Sequence, residues 1–157
     1  MLYQDNWGIM APILANPLIR PDTRAILQAK AVFEELLAIR QDSTLFRLRT
    51  AQDVIERLTF HNTGPGQVPG VIVMEIDGKD PAKYAGAQYK GVVVVFNVDR
   101  SARTIAVPAL KGRKLQLHRL QRNGSDEVVK ASAFDRNSGA FSIPARTAAV
   151  FVQNAND

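Results

Sequence analysis

The side chains best suited to acid–base and metal chemistry are scarce in this chain. It contains two histidines, His61 and His118, and no cysteine. Nucleophilic catalysis needs a nucleophile with a base beside it, and no Gly-x-Ser-x-Gly turn is present to expose a serine next to an imidazole. Two histidines without a spaced cluster also disfavour a zinc site. We therefore predict surface or edge-strand positions for both histidines, and neither a metal nor a cofactor.

Paired carboxylates would be needed for glycoside hydrolysis, in which two acidic residues flank the scissile sugar bond. Glu34, Glu35, Asp53 and Glu56 fall on predicted helical surfaces, whereas the acids of the later chain fall in loops or at strand ends. No motif around any of them marks an acid or a nucleophile. The sequence therefore predicts no catalytic residue in this chain and no activity for it alone.

One short segment near the N-terminus combines polar groups with the single tryptophan of the chain. Aromatic rings stack on sugar faces, and Asp5 and Asn6, beside Trp7, carry groups that hydrogen-bond sugar hydroxyls. In the alternative interpretation, Trp7 anchors the N-terminal segment on a core. Both interpretations remain open at the level of sequence.

The composition is that of a folded chain with one domain of ordinary size, with 157 residues, 46% of them hydrophobic and 22% charged. The net charge of +5 raises the question of nucleic-acid binding. Because the basic residues are scattered and not interleaved with aromatics, we expect no nucleic-acid partner. No run of 18 apolar residues exists, so we also expect no membrane partner.

The elements that must position these side chains begin with an N-terminal segment and one strong helix. Three prolines within residues 1–21 predict an irregular course there. A helix is predicted over residues 22–41, where apolar residues recur at spacings of three and four. Its apolar arc is wide, which is typical of a helix that packs against two bodies or one large one. The arc includes Ile26, Phe33, Leu36 and Leu37.

From about residue 57 the pattern changes to short strands separated by turn signals. Residues 92–98 form a continuous apolar run, which predicts a central strand buried on both faces. Thr50 and Asp53 predict a capped helical turn. Seven or eight strands with short connections predict a mainly β fold, an antiparallel Greek-key-like β-sandwich preceded by one long helix. The further strand candidates are residues 45–48, 58–60, 71–77, 104–110, 115–120, 128–131, 139–143 and 148–152.

Several ordered strings resemble one known enzyme family. They are LLAIR at residues 36–40, LFRLRTA at 45–51, FHNTG at 60–64, GVIVMEID at 70–77, VVVFN at 93–97 and IPARTAAVF at 143–151. Together they resemble the C-terminal region of pullulanase-type α-1,6-glucosidases in glycoside hydrolase family 13. The resemblance extends over about residues 5–153, and its motifs are structural rather than catalytic.

The resemblance implies a domain organisation and a role. Residues 1–43 would be an irregular segment followed by the last helix of a (β/α)8 barrel, and residues 44–157 would be the C-terminal β-sandwich. The chain would be the non-catalytic structural domain of a starch, glycogen or pullulan debranching enzyme. It would stabilise a catalytic barrel that lies in the same chain or in a separate one. The resemblance also favours an extracellular or periplasmic location over a cytoplasmic one.

Two groups of residues acquire expected roles from the resemblance. The barrel-facing residues of the helix would be Ile26, Phe33, Leu36 and Leu37. The residues near the substrate cleft of the complete enzyme would be Asp5, Asn6 and Trp7.

Two other roles remain open. The sandwich could bind an α-glucan by itself, although Trp7, Tyr84 and Tyr89 form no clear aromatic platform in the sequence. The chain could instead be an interaction domain that docks through the helix. Without a partner, it should expose part of the apolar arc of the helix, which predicts weak stability or self-association through this face.

Overall fold

The computed structural model describes residues 6–78 and 87–155, and these contain five helices and eight strands. The predicted site residue Asp5 and the predicted aromatic Tyr84 lie outside the described residues. The helices are α1 (Trp7–Ala15), α2 (Thr23–Asp42), α3 (Ala51–Arg57), α4 (Arg119–Asn123) and α5 (Glu127–Lys130). The strands are β1 (Leu58–Phe60), β2 (Val71–Asp77), β3 (Tyr89–Asn97), β4 (Arg103–Ala106), β5 (Gln116–Leu117), β6 (Ala133–Asp135), β7 (Ala140–Ile143) and β8 (Thr147–Asn154).

The strands form two antiparallel sheets, which confirms the mainly β sandwich. The larger sheet has the order β1-β2-β3-β8-β5, and the smaller has the order β4-β7-β6. The core between the sheets includes Val93, Val95, Phe141 and Phe151. These side chains are apolar and alternate along their strands, so each strand contributes every second residue to this core.

Strand β3 is buried on both faces, as its apolar run predicts. Val93 and Val95 point into the core between the sheets, whereas Val92 and Val94 belong to a second cluster on the opposite face of the larger sheet. Ile39 from helix α2 packs into this second cluster. The outer face of the large sheet is therefore the surface on which the C-terminal end of α2 rests.

The prediction of an irregular course for residues 1–21 is wrong for residues 7–15, which form helix α1 with Pro12 inside it. A single proline removes only one backbone donor. The carbonyl of Asn6 still accepts hydrogen bonds from the backbone of Ile9 at 3.0 Å and of Met10 at 2.9 Å. The first turn therefore closes before Pro12 is reached.

Four predicted strands are wholly or partly helical instead. In residues 104–110, β4 ends at Ala106 and a 3₁₀ turn covers Pro108–Leu110. The other three share one feature. Residues 45–48 lie mostly in a 3₁₀ turn, residues 128–131 lie mostly in α5, and residues 115–120 contain only the two-residue β5 before α4 begins. In each case a polar side chain accepts a hydrogen bond from the backbone N–H two residues further on and thereby starts a helical turn. These pairs are Ser43 with Leu45 at 3.2 Å, His118 with Leu120 at 3.2 Å, and Asp126 with Val128 at 2.9 Å.

The predicted cap at Thr50 is confirmed, since its hydroxyl accepts a hydrogen bond from the backbone N–H of Asp53 at 3.0 Å. Among the helices described, none combines the length and the apolar character needed to cross a bilayer.

Candidate functional site: the outer face of helix α2

Helix α2 has two sides of opposite character, and the polar side faces the sandwich. The helix begins after Asp22, whose carboxylate accepts a hydrogen bond from the backbone N–H of Ala25 at 2.7 Å. Of its 20 residues, only Ile39 is buried. A helix in an ordinary globular domain buries an apolar stripe and exposes its polar residues. In α2 the contacts with the sandwich are instead largely polar.

The polar contacts come from Gln28, Glu35 and Asp42, which are spaced by seven residues. Seven residues make two helical turns to within about 20°, so these three side chains lie along one side of α2. The Gln28 amide donates a hydrogen bond to the carbonyl of Ser125 at 3.5 Å, and the Glu35 carboxylate accepts one from the backbone N–H of Ser125. The turn between α4 and α5 thus holds the middle of the helix.

The end of the helix is held by a cluster around Asp42. Its carboxylate accepts hydrogen bonds from the Tyr89 hydroxyl, from Nε2 of His118 at 3.0 Å and from the guanidinium of Arg119 at 2.5 Å. Nδ1 of His118 accepts from the backbone N–H of Leu120 at 3.2 Å. This assigns the ring proton to Nε2, which points at Asp42.

His118 is completely buried, with 0% exposure. The prediction of a surface position for this residue is therefore wrong. His118 does directly follow the edge strand β5, and its backbone N–H donates a hydrogen bond to the carbonyl of Val150 on β8 at 2.7 Å. The ring of His118 is in contact with Asp42 at the end of α2 and with Tyr89 at the start of β3. The buried ring is satisfied by two hydrogen bonds at its nitrogen atoms, as a buried polar group requires.

The protonation states in the cluster follow from burial and from its hydrogen bonds. Burial lowers the pKa of His118 from 6.5, and the nearby Asp42 carboxylate only partly offsets this effect. Burial by itself would raise the pKa of Asp42, but the hydrogen bonds from Tyr89 and Arg119 together hold that pKa below 3.8. Burial, together with the hydrogen bond to Asp42, raises the pKa of Tyr89 to about 12. At neutral pH the cluster contains a neutral imidazole beside a charged carboxylate.

The pKa of Glu35 is shifted in the opposite direction from that of Asp42. Partial burial, followed by the repulsion of Asp126, raises the pKa of its carboxyl group above 4.5. The hydrogen bond from Ser125 and the positive charge of Lys130 act against this rise without cancelling it. The polar side of α2 therefore includes one carboxylate that the sandwich stabilises, Asp42, and one that it disfavours, Glu35.

The other side of α2 is apolar and exposed. Ile26 lies nine residues from Glu35, which places it about 180° away around the helix axis, and Phe33 and Leu37 lie on the same side as Ile26. The four predicted barrel-facing residues are exposed in this chain, with Ile26 at 55%, Phe33 at 62%, Leu36 at 40% and Leu37 at 43%. The sandwich leaves this face uncovered.

Helix α1 adds further exposed apolar surface. Its exposed side chains are Trp7, Ile9, Met10, Ile13 and Leu14, and Trp7 is 63% exposed. Such exposure disfavours the interpretation of Trp7 as an anchor on the core. Asn6 precedes the helix and is also exposed, and its carbonyl rather than its side chain caps the first turn. Contiguous apolar surface of this kind marks an interaction site more often than a solvated surface.

The polar cluster at the end of α2 was missed by sequence reasoning, because Asp42 and His118 are 76 residues apart. The seven-residue spacing of Gln28, Glu35 and Asp42 is the sequence feature that could have indicated the polar side of the helix. It places three polar residues along one side of the helix, opposite the apolar residues Ile26, Phe33 and Leu37.

Comparison with known proteins places these features in a family. Residues 3–154 match the family model of pullulanase-type α-1,6-glucosidases, C-terminal. The chain is 43% identical over 157 residues to chloroplastic pullulanase 1 of Arabidopsis thaliana, covering 98% of this chain and 16% of that protein. It is 30% identical over 131 residues to the pullulanase of Klebsiella pneumoniae, covering 83% of this chain and 12% of that protein.

A solved structure gives the same result for the fold. The maltotriose complex of PulA from Klebsiella pneumoniae superposes with a TM-score of 0.78 at 29% identity, over 96% of this chain and 16% of that chain. The chain thus spans about one sixth or less of the length of the relatives that it matches. Its matching residues, its sandwich and its leading helices lead to one conclusion: the chain belongs to the family of C-terminal domains of pullulanase-type α-1,6-glucosidases.

Proposed function

We propose that this chain is the non-catalytic C-terminal domain that covers and stabilises the catalytic barrel of an α-1,6-glucosidase. The observation that supports this most strongly is the orientation of α2. Its polar stripe is bonded to the sandwich, and its apolar stripe, with Phe33 at 62% exposure, faces away from it. This arrangement fits a helix shared between two bodies.

The apolar stripe provides the free energy of docking. Full burial of a large apolar side chain contributes roughly 1.5–3 kcal/mol. Phe33 and Ile26 are each more than half exposed, so a partner that covers them removes much of their remaining apolar surface from water. The polar stripe makes no comparable contribution to docking, because it already has partners within the sandwich. It fixes the rotation of α2 and therefore the direction in which the apolar stripe points.

The domain boundary at residues 43 and 44 is part of this proposal. Helices α1 and α2 would belong structurally to the barrel, and Ser43, only 1% exposed, would mark the passage into the sandwich. Asn6 and Trp7 would then lie on the barrel side, where contact with substrate in the complete enzyme is expected from the family resemblance. The barrel would be supplied in the same chain or by a separate one.

The test replaces Phe33 by aspartate in two settings. In the isolated chain, Phe33→Asp should change the free energy of unfolding by no more than about 1 kcal/mol, because Phe33 is exposed. It should also suppress concentration-dependent self-association, measured by sedimentation velocity. The second setting is a chimera in which this chain replaces the C-terminal region of the Arabidopsis pullulanase. There the variant should lower the melting temperature and the rate of pullulan hydrolysis.

Val128→Asp is the matched control, since Val128 is 53% exposed on α5, away from α2's apolar stripe. It should leave self-association and chimera stability unchanged. Equal behaviour of the two variants in the chimera would show that the outer face of α2 is not the docking face.

A further inference from the structure

The loop of residues 61–70, between β1 and β2, separates two cavities. One has a volume of about 410 Å³ and is lined in part by Phe60, Ile72 and Val98. The other has a volume of about 240 Å³ and is lined in part by His61 and Thr104. Thr63 and Gln67 line both cavities, so the loop presents one set of polar side chains to two adjoining spaces.

The loop is held rigidly by contacts that leave its outward side chains available. The amide nitrogen of Asn62 donates to the carbonyls of Val68 at 2.8 Å and of Val71 at 2.6 Å, and its oxygen accepts from the backbone N–H of Val68 at 2.8 Å. Gly64 and Gly70 have φ angles of 85° and 74°, which only glycine adopts readily. A loop fixed in this way loses little conformational entropy when a ligand binds.

The ring of His61 is fixed as well. Its Nε2 lies 2.6 Å from the carboxylate of Glu75, which is also bonded to Arg113. His61, Glu75 and Arg113 are therefore engaged with one another beneath the loop. Among the residues that the structure describes, no aspartate, glutamate, lysine or arginine lines either cavity. In a chain with a net charge of +5, this surface is locally neutral.

Several neutral polar groups at the cavities have no hydrogen-bond partner among the described residues. Within residues 6–78 and 87–155, the hydroxyls of Thr63 and Thr104 and the amide of Gln67 make no hydrogen bond. Beside them, Phe60 is 49% exposed and presents its ring to the larger cavity. An aromatic surface next to neutral donors and acceptors matches a ligand that is apolar on one face and hydroxylated at its edges.

We propose that this two-cavity site binds a short maltooligosaccharide, with a glucose ring against Phe60 and its hydroxyl groups on Gln67, Thr63 and Thr104. The neutral, hydroxylated class of ligand is inferred from the cavities themselves, whereas the choice of an α-glucan rests on the proposed function. The site is separate from Asn6 and Trp7, neither of which lines these cavities. It gives the domain a contact with substrate away from α1.

Isothermal titration of the full chain with maltotriose tests the proposal. We expect saturable binding with a millimolar Kd that is weakened at least tenfold, or about 1.4 kcal/mol, by Phe60→Ala and by Gln67→Ala. Gln67 is exposed on the loop, so its variant keeps the fold if Phe60→Ala does not. Val128→Ala is the control, because Val128 is an exposed apolar residue on α5 that lines neither cavity, and it should leave Kd unchanged.

Three results would overturn the proposal: no saturable binding of maltotriose, binding that Trp7→Ala abolishes and Gln67→Ala leaves intact, or equal affinity for the β-linked cellotriose. None of these results concerns docking to the barrel, which is read from the stability of the chimera. The two proposals can therefore fail independently.

Discussion

Glu35 on helix α2 lies directly against Gly124 in the turn between α4 and α5. A Cβ atom at position 124 would come within 1.6 Å of a carboxylate oxygen of Glu35 and within 2.8 Å of the backbone carbonyl of Leu120. The absence of a side chain at this position allows α2 to approach the turn. The contact between helix and sandwich thus depends on a glycine located 89 residues after Glu35.

Replacing Gly124 by alanine should therefore loosen α2. We expect Gly124→Ala to lower the free energy of unfolding by about 1–3 kcal/mol, the usual cost of overpacking, as measured by urea denaturation. The Leu120 carbonyl belongs to the backbone and cannot rotate away as Glu35 can. For this reason, adding Glu35→Ala should restore only part of the loss.

Gly66→Ala is the control for that experiment, because a Cβ atom at position 66 meets nothing within 4 Å. It should leave the free energy of unfolding nearly unchanged. Equal losses from the two substitutions would mean that the effect comes from the general cost of replacing glycine and not from the contact with Glu35.

Glu35→Gln should stabilise the chain at neutral pH. Burial and Asp126 raise the pKa of Glu35, so its ionised form is disfavoured in the folded state, while the glutamine oxygen still accepts the hydrogen bond from Ser125. Glu35 is only partly buried, so solvent screens its charge. We therefore expect a gain of only a few tenths of a kcal/mol, about the size of a surface charge effect.

The pH dependence distinguishes this explanation from a simple packing effect. A raised folded-state pKa destabilises the folded chain at pH values above it, and this penalty is lost as pH falls through the folded pKa towards the ordinary value of 4.5. The difference in unfolding free energy between Glu35→Gln and the unchanged chain should therefore close on acidification. A difference in unfolding free energy that stays constant from pH 7 to pH 4 would contradict the explanation based on the pKa of Glu35.

The cluster at the end of α2 should make the chain sensitive to acid. The pKa of His118 is lowered from 6.5, so below that pH the unfolded chain takes up a proton that the folded chain resists. Stability should fall as pH drops below about 6.5. It should fall again as pH drops below 3.8 and Asp42, whose pKa is also lowered, becomes protonated. Both pKa shifts make the folded chain less stable as the pH falls.

His118→Gln isolates the first of these steps. A glutamine amide can donate to Asp42 as Nε2 of His118 does, but it does not titrate. Chemical denaturation at pH 7.5, 6.5 and 5.5 should show a loss of stability in the unchanged chain and a smaller loss in the variant. Identical pH profiles for the two proteins would show that His118 does not cause the loss of stability below pH 6.5.

Gly91→Ala should weaken the ion pair beneath the loop of residues 61–70. A Cβ atom at Gly91 would lie 2.4 Å from the guanidinium of Arg113, which bonds to the buried carboxylate of Glu75 and to Gln153. Because Arg113 is flexible, it can move aside at the cost of these bonds. We expect a loss of about 1–2 kcal/mol in the free energy of unfolding, the range for hydrogen bonds to charged groups.

A double-mutant cycle tests that mechanism. In an Arg113→Ala background, Gly91→Ala should have almost no further effect, because the side chain with which it collides is gone. Additive losses would show instead that alanine at position 91 disturbs the strand itself.

Features that depend on neighbouring residues could be read from the sequence alone. The burial of Val92 to Val95 on both faces of the sheet follows from a continuous run of valines, and the Thr50 cap follows from its spacing to Asp53. The strings that carry the family resemblance are also local, since each covers at most nine consecutive residues. Helix α2 was predictable because the spacing of its apolar residues involves only residues within the helix itself.

Features that depend on residues distant in the chain were decided by the tertiary structure. The sequence between Leu117 and Leu120 looks like a strand, yet His118 is buried against Asp42, 76 residues away. The spacing of apolar residues in α2 shows which of them can be buried, but it does not show which domain covers them. Only the fold shows that the sandwich contacts Gln28, Glu35 and Asp42 on the polar side of the helix. Burial and pKa are set by whatever surrounds a side chain in space, and those surroundings come from elements far apart in sequence.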